Sequence, residues 1–231
     1  MARLVLVTGA AGNLGRAVAD VFARRGDTVA LLGRSRESLA KVYGGENAQH
    51  LFVVADLLQP QAVQSALREL EARSGGIEVL CNIAGGFTMG DPVHATAAAD
   101  WQKMQDLNVR TLLHAVQAVV PGMVARGRGK VVNIGANGAQ RGGAHMGAYA
   151  AAKSEVQRLT ESMAAELREH GINVNCVLPS VIDTPENRAA MPKADPARWV
   201  APSQLAEVIA FLASDAASAI HGASLPVVGL S

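Results

Sequence analysis

The sequence predicts a single domain built on a doubly wound, parallel α/β sheet of seven strands. Short, nearly continuous apolar runs alternate with helical patterns along all 231 residues. Apolar runs of this kind are expected of strands whose two faces are both covered by helices. A glycine-rich turn follows the first run directly, and no linker or internal repeat interrupts the alternation. These observations together predict one α/β domain over residues 1–231.

Each predicted strand is one of the apolar runs. They are Leu4–Thr8, Thr28–Gly33, Leu51–Ala55, Ile77–Asn82, Lys130–Gly135, Ile172–Leu178 and Ala223–Val228. The segments between them are predicted as helices, because their apolar residues recur every three or four positions, as at Val156, Leu159, Met163 and Leu167. The one long irregular region, residues 179–202, contains five prolines and follows a strand. A loop at that end of a parallel strand is where a substrate lid belongs, although a surface insertion is the alternative.

The composition excludes several classes of function. Lys plus Arg number 21 and Asp plus Glu number 20, without a polybasic block, which gives no electrostatic case for nucleic acid or a membrane surface. No apolar run reaches the length of a membrane span or of a secretory signal. The two cysteines lie in apolar runs, and no His/Cys cluster has metal-ligand spacing. We therefore expect a cytoplasmic protein with no metal site.

The glycine-rich turn predicts a dinucleotide site. Gly9, Gly12 and Gly15 come directly after the first strand, and Asn13 and Leu14 open the helix that follows. Glycines there permit a tight turn and let the backbone approach a pyrophosphate at the helix N-terminus. This strand–turn–helix context is that of a Rossmann-type NAD(P)-binding fold.

The end of the second strand favours NADP(H) over NAD(H), which stays possible. It reads Gly33-Arg34-Ser35-Arg36, without a carboxylate for the ribose 2′-hydroxyl and with a guanidinium at Arg34 for a 2′-phosphate. The alternative is that Arg34 and Arg36 are solvated residues at the start of a helix. Asp56, next to Leu57 after the third strand, is expected either to accept from the adenine amino group or to cap the next helix.

Tyr149 and Lys153 are predicted as a catalytic pair, because their spacing places them on one face of a helix. A phenol is a weak acid at neutral pH, and a nearby ammonium is expected to lower its pKa. Tyr149 would then exchange a proton with the substrate.

Taken together, these motifs resemble the short-chain dehydrogenase/reductase family over nearly the whole chain. The resemblance adds an altered motif, Asn82-Ile83-Ala84-Gly85, and a helical asparagine, Asn108. It implies that Asn82, Ala84, Gly85, Pro179 and Thr184 bind the cofactor, that Lys153 also holds its ribose, and that Asn108 relays protons through a water. The alternative for Asn108 is a helix-kink or capping residue. The resemblance also implies a homodimer or homotetramer.

One position departs from the family. Its serine, thirteen residues before the tyrosine, is replaced here by Ala136, unless Asn137, Gln140 or His145 takes over its role. The sequence around Ala136 and residues 177–199 is similar to a subgroup that lacks this serine, the dihydropteridine reductases. We therefore expect hydride transfer to a small carbonyl or a conjugated C=N substrate, with quinonoid dihydropterin reduction or a catalytically silent NADP(H)-binding regulator as alternatives. Ala136, Phe87, His145 and Trp199 are the expected substrate residues.

Overall fold

All seven apolar runs form strands in the computed structural model, which describes residues 2–231. The strands are β1 (Leu4–Thr8), β2 (Thr28–Gly33), β3 (His50–Val54), β4 (Ile77–Asn82), β5 (Gly129–Ile134), β6 (Ile172–Pro179) and β7 (Ser224–Val227). Their bounds differ from the predicted ones by single residues at several ends. The predicted strand count is therefore confirmed.

The strands form one parallel sheet in the order β3-β2-β1-β4-β5-β6-β7. β1 lies inside the sheet, with β2 on one side and β4 on the other. The chain therefore winds outward from β1 in one direction and from β4 in the other, as the predicted doubly wound fold requires. A crevice opens between the carboxyl ends of β1 and β4, and ligands of such sheets bind there.

Eight α-helices accompany the strands in the described residues. They are α1 (Asn13–Arg24), α2 (Arg36–Tyr43), α3 (Pro60–Ser74), α4 (Ala98–Gln105), α5 (Thr111–Arg126), α6 (Gly147–Leu167), α7 (Pro185–Ala190) and α8 (Pro202–Leu212). Helices α1, α2 and α8 cover one face of the sheet, and α3, α5 and α6 cover the other. Both faces of the central strands are therefore covered by helices, which explains why most residues of these strands are apolar.

Helix α1 shows how the pattern of the sequence produces this packing. Its buried residues include Leu14, Val18, Val21 and Phe22, which recur at helical spacing and form one apolar stripe against the sheet. Phe22 is completely buried. Burying a side chain of this size stabilises the fold by roughly 1.5–3 kcal/mol.

A chain of polar side chains crosses the apolar layer between β4, β5 and α6. Asn82 Nδ2 donates to Asn133 Oδ1 at 2.9 Å, and Asn133 Nδ2 donates to Thr160 Oγ1 at 2.9 Å. All three residues are buried. Buried amides without partners are costly, so these bonds fix the relative positions of the two strands and the helix.

The predicted lid region folds back on itself. Residues 179–202 contain α7 and a 3₁₀ turn at Pro196–Arg198. Ile182 and Val200 form a parallel bridge that brings the two ends of the segment together. The carbonyl of Arg198 accepts from the backbone N–H of Leu230 at 2.9 Å, which ties the loop to the C-terminal residues. None of the helices in residues 2–231 has the length and apolar character needed to cross a bilayer.

Candidate active site

The glycine-rich turn sits at the carboxyl end of β1 and is shaped by close backbone contacts. Gly9 has a φ of +63°, and a Cβ on it would lie 3.0 Å from Ala84 Cα. A Cβ on Gly15 would lie only 2.2 Å from the carbonyl oxygen of Gly9. Thr8 Oγ1 accepts from the backbone N–H groups of Ile83 and Ala84 at 3.0 and 3.1 Å. The glycines are therefore required by the geometry of the turn.

This turn leaves an anion site at the start of α1. Gly12 is the N-cap and has no side chain to accept from the first backbone N–H groups, and Asn13 is exposed. Leu14 faces the core. Free N–H groups and the helix dipole together attract a phosphate. The turn therefore fits a dinucleotide, and the orphaned, buried Asn82 Oδ1 beside it is a further polar atom without a partner among residues 2–231.

The two arginines that follow β2 have different surroundings. Arg36 is held in place, because it pairs with Glu46 and stacks over the Phe52 ring at 5.4 Å. Arg34 is exposed and has no ion-pair partner within the described chain. A Cβ on Gly33 would lie 3.0 Å from Leu39 Cγ, so a larger residue there must push the Leu39 side chain aside. Of the two arginines, Arg34 alone has no ion-pair partner in the described chain.

The loop after β3 corrects one of the two expectations for Asp56. Asp56 does not cap α3, whose N-cap is Gln59. Its Oδ1 instead accepts from the backbone N–H of Leu58 at 2.9 Å, because an aspartate readily closes a local turn two residues on. Leu57 is buried, and its carbonyl oxygen is 2.6 Å from Nδ1 of His114 in α5. The adenine role of Asp56 stays a prediction.

A compact cluster forms where β4 ends. A Cβ on Gly85 would lie 2.8 Å from Asn108 Oδ1 and 3.3 Å from Lys153 Nζ. Asn108 and Lys153 are buried, whereas Gly85 is exposed. Three residues that lie far apart in the sequence are thus brought together, and the missing side chain of Gly85 leaves room for the polar atoms of Asn108 and Lys153 beside the loop after β4.

Asn108 lies in a π-helical turn, Asp106–Arg110, between α4 and α5. Its side chain bonds the β4 loop in both directions: Oδ1 accepts from Gly86 N at 3.1 Å, and Nδ2 donates to Gly86 O at 3.0 Å. Nδ2 also donates to the carbonyl of Met104 at 3.1 Å. Such π-turns are rare and frequent at functional sites. Asn108 therefore anchors the loop after β4 to this π-helical turn, which supports the structural alternative for this residue.

Tyr149 lies in the first turn of α6, with Lys153 one turn further on. Its ring meets the exposed Phe87 ring edge to face, with centroids 4.9 Å apart. Burial raises the pKa of Tyr149 to about 12, so the expected lowering of this pKa is wrong for the cofactor-free protein. The physical reason is that desolvation disfavours the phenolate, and Lys153 does not offset it.

Lys153 is completely enclosed behind the tyrosine. Its Nζ donates to the carbonyl oxygen of Ile134 at 2.8 Å. Burial lowers the pKa of Lys153 to about 8, against a smaller opposing effect of the neighbouring Cys176 thiol. The ammonium is therefore only partly populated above neutral pH, which weakens its effect on the phenol.

Ala136 is buried against Ala139, Ala150 and the tyrosine ring. Ala136 has no hydroxyl to take the place of the serine that the family carries at this position. Gln140 Nε2 donates to Asn137 Oδ1 at 2.6 Å, so these two side chains bond each other. Ser154 Oγ donates to the carbonyl of Ala139 at 2.7 Å and fixes the loop to α6. The tyrosine side of the site is therefore apolar at the position of Ala136.

A cavity of about 150 Å³ opens beside Tyr149, between the loop after β4 and the loop before α6. His145 lines it, as predicted for a substrate residue. Phe87 contacts the same tyrosine from the β4 loop. Trp199 does not line this cavity. It is 8% exposed and lies at the other end of the lid, so its substrate role stays a prediction.

The predicted lid segment, residues 179–202, begins at the carboxyl end of β6. Pro179 is the buried last residue of β6, and Thr184 is the N-cap of α7, where its Oγ1 accepts from Asn187 N at 3.2 Å. Glu186 in α7 accepts from Asn13 Nδ2 at 2.8 Å. Sequence reasoning missed this contact between the lid and the glycine turn, because no local pattern pairs positions so far apart. The cofactor roles of Pro179 and Thr184 stay predictions.

Comparison with known proteins agrees with this geometry. A model of the short chain dehydrogenase family matches residues 3–195. The chain belongs to this family. It is 31% identical to the 3-oxoacyl-[acyl-carrier-protein] reductase FabG of Vibrio cholerae, over 98% of the chain and 96% of that protein. It is also 31% identical to the D-threitol dehydrogenase of Mycolicibacterium smegmatis, over 98% and 92%.

Solved structures of the family superpose closely. A gluconate 5-dehydrogenase from Burkholderia cenocepacia, in complex with NADP and tartrate, has a TM-score of 0.90 at 30% identity, covering 98% of this chain and 94% of its own. An NAD⁺-bound xylitol dehydrogenase has a TM-score of 0.89 at 28% identity, covering 98% of each chain. This protein is accordingly a short-chain oxidoreductase with a single Rossmann-type sheet that uses NAD(P)(H). The fit of the glycine turn to a dinucleotide agrees with that cofactor.

Proposed function

We propose that this protein is an NADP(H)-preferring reductase of a small carbonyl or conjugated C=N compound, with Tyr149 as the proton donor. The observation that carries the proposal is the cluster of Tyr149, Lys153 and Asn108 at the carboxyl edge of the sheet, next to a turn that accepts a dinucleotide. A catalytically silent nucleotide-binding regulator would not need these three chemical groups in one cluster.

The chain's own residues provide proton transfer and positioning. NADPH, when bound at the glycine turn, supplies the hydride. With its pKa raised to about 12, Tyr149 is protonated throughout the neutral range and can donate its proton to the reduced atom of the substrate. Lys153 and Asn108 both lie beside Gly85, and this proximity supports a role for them in returning a proton to the tyrosine. In the oxidation direction, the tyrosine would have to act as a base and accept a proton, which its high pKa disfavours.

Ala136 narrows the class of substrate. A hydroxyl near the reacting oxygen is worth about 10²–10³ in rate when negative charge develops there. Reduction of a conjugated C=N bond delocalises that charge onto ring nitrogen and depends less on such a donor. The edge of the Phe87 ring beside Tyr149 offers an apolar wall for a flat substrate. Quinonoid dihydropterins therefore belong in the first substrate panel beside simple ketones.

The preference for NADP(H) follows from the contrast between the two arginines after β2. Arg34 is free and exposed, while Arg36 is committed to Glu46 and the Phe52 ring. Arg34→Ala should raise the KM for NADPH at least tenfold, on the order of one charge-assisted hydrogen bond, and leave that for NADH nearly unchanged. Arg36→Ala is the matched control and should affect both cofactors equally. Equal effects of the two variants would refute the preference.

Tyr149→Phe tests the proton donor. NADPH oxidation should be lost with every substrate of a panel of ketones and a generated quinonoid dihydropterin, while NADPH affinity by fluorescence titration persists. The matched control is Tyr43→Phe, the other tyrosine of the chain, whose hydroxyl donates to the carbonyl of Ala10 at 2.8 Å. It should alter cofactor affinity and keep turnover. Wild-type protein that binds NADPH but oxidises it with no substrate would instead support the regulator.

A further inference from the structure

The cavity beside Tyr149 has an unusual hydrogen-bonding character that centres on His145. The backbone of His145 and that of Gly90 bond each other, because Gly90 N donates to His145 O at 3.0 Å. The imidazole adds a second link, with Nδ1 2.9 Å from the carbonyl oxygen of Gly90. The loop after β4 is thereby joined to the loop before α6 directly over the cavity.

His145 holds this position at a conformational cost. Its φ is +64°, and it is the one residue other than glycine with a positive φ in the described chain. The left-handed conformation costs a non-glycine residue roughly 1–2 kcal/mol. Strain of this kind persists where the surroundings impose it, and it clusters at ligand sites. The double link to Gly90 holds the residue in this conformation.

The link to Gly90 also determines what the imidazole can offer a ligand. A carbonyl oxygen only accepts, so Nδ1 must carry the hydrogen of that bond. In the neutral ring, Nε2 is then left without a hydrogen and acts as an acceptor. The neutral ring of His145 therefore cannot replace the missing serine hydroxyl as a donor to the reacting atom. It can instead receive a hydrogen bond from a substrate.

The other polar residues of the cavity agree with this character. Thr96 Oγ1 donates its hydrogen to the carbonyl oxygens of Asp91 and Pro92, at 3.2 and 3.1 Å. Only its lone pairs therefore remain for a ligand. Asp91 and Asp100 also line the cavity; both are exposed and have no ion-pair partner within residues 2–231. Of the described residues that line the cavity, none is a lysine or an arginine. Thr88 Oγ1 likewise donates to the carbonyl of Met89, at 3.4 Å. Apart from the Tyr149 hydroxyl, the polar side chains of this wall are therefore left to accept hydrogen bonds.

We infer that His145 makes this site selective for ketones that carry a hydrogen-bond donor next to the reacting carbonyl, a hydroxyl or an ammonium group, and against anionic ones. The inference rests on the proposed function and deepens it by naming the substrate class. An anionic group would meet two carboxylates and an imidazole acceptor, and the lining offers no lysine or arginine to compensate the like-charge repulsion.

Four small ketones of nearly equal size test the selectivity: hydroxyacetone, aminoacetone, butanone and pyruvate. In the wild type, kcat/KM with NADPH should be highest for the hydroxyl- and ammonium-bearing ketones, lower for butanone and lowest for pyruvate. His145→Gly suits the left-handed backbone and removes only the ring, so it should fold normally. In this variant the hydroxyacetone-to-butanone ratio should fall about five- to tenfold, the worth of one hydrogen bond.

The matched control is His94→Ala, since His94 is exposed on the same β4 loop but does not line the cavity. It should keep the wild-type ratio. Turnover with an equal ratio in wild type and His145→Gly, or a preference for pyruvate, would overturn the inference and leave the proposed function intact.

A binding measurement separates the inference from the proposed function. Saturation-transfer NMR of the NADP⁺-loaded protein should detect propane-1,2-diol but not lactate, and the diol signal should weaken in His145→Gly. If no ketone is reduced but the diol still binds in this selective way, the proposed function fails and the inference stands. If lactate binds as well as the diol, the inference fails even without turnover.

Discussion

Replacing Lys153 by methionine should remove a specific pH dependence from the stability of the cofactor-free protein. Burial lowers the pKa of Lys153 to about 8. A lysine in the unfolded chain titrates near a pKa of about 10.4. Between these two pH values the unfolded chain binds more protons than the folded chain, so the free energy of unfolding of the wild type should rise with pH.

The size of the effect follows from the pKa difference. The two values differ by roughly 2.4 units, and each unit corresponds to about 1.36 kcal/mol. Below about pH 8 both states are protonated, and the folded protein carries the full penalty of the buried ammonium. Above about pH 10.4 both states are neutral, and the penalty is gone. The wild type should therefore gain about 3 kcal/mol relative to Lys153→Met across this window.

Urea unfolding of both proteins, followed by tryptophan fluorescence at steps from about pH 7 to about pH 10, measures the difference directly. The stability of Lys153→Met must be subtracted from that of the wild type, because a second group titrates in both proteins. Burial raises the pKa of Cys176 to about 11, and this thiol makes the free energy of unfolding fall over the same range. Since the charges of Cys176 and Lys153 interact, both proteins should also be compared in a Cys176→Ala background. Parallel stability curves in that comparison would refute the reasoning, because they would show that the ammonium is solvated in the folded protein.

Three further substitutions probe the turn, the π-helix and the missing hydroxyl. Gly15→Ala should abolish NADPH binding, measured by titration, since its Cβ would lie 2.2 Å from a backbone oxygen. Gly45→Ala is the control and should bind NADPH normally, because a Cβ there meets nothing within 4 Å. Binding by both variants would contradict the geometry. Asn108→Ala removes three hydrogen bonds and should cost about 3 kcal/mol in urea unfolding, and a loss near zero would mean that water replaces them. Ala136→Ser should raise kcat/KM for ketones more than for a quinonoid dihydropterin, and equal gains would argue against a role of this position in substrate choice.

The sheet was predictable because its signal is local. The central strands are buried on both faces, so a run such as Leu4–Thr8 is apolar at four of its five positions and stands out from the helices beside it. The glycine turn was equally clear, since close backbone contacts exclude other residues at Gly9 and Gly15. The family resemblance is confirmed by the match over residues 3–195.

The details of the site were less predictable because they depend on contacts between distant segments. The π-helical turn at Asn108 exists where a side chain bonds a loop that is 22 residues away in the sequence. The sequence placed Lys153 near Tyr149 but did not show how deeply the ammonium is buried, and burial decides the pKa of both groups. His145 was recognised as a cavity residue, but its left-handed backbone and its bond to Gly90 follow only from the folded loop.

The support of the glycine turn by β4 has a consequence for protein synthesis. β1 emerges from the ribosome early, yet it pairs with β4 as well as β2, and Thr8 and Gly9 contact Ile83 and Ala84. A nascent chain that ends before these residues lacks the partners that shape the turn. Nucleotide binding during translation should therefore begin only after β4 has left the exit tunnel, and until then an apolar edge of β1 is open to chaperones.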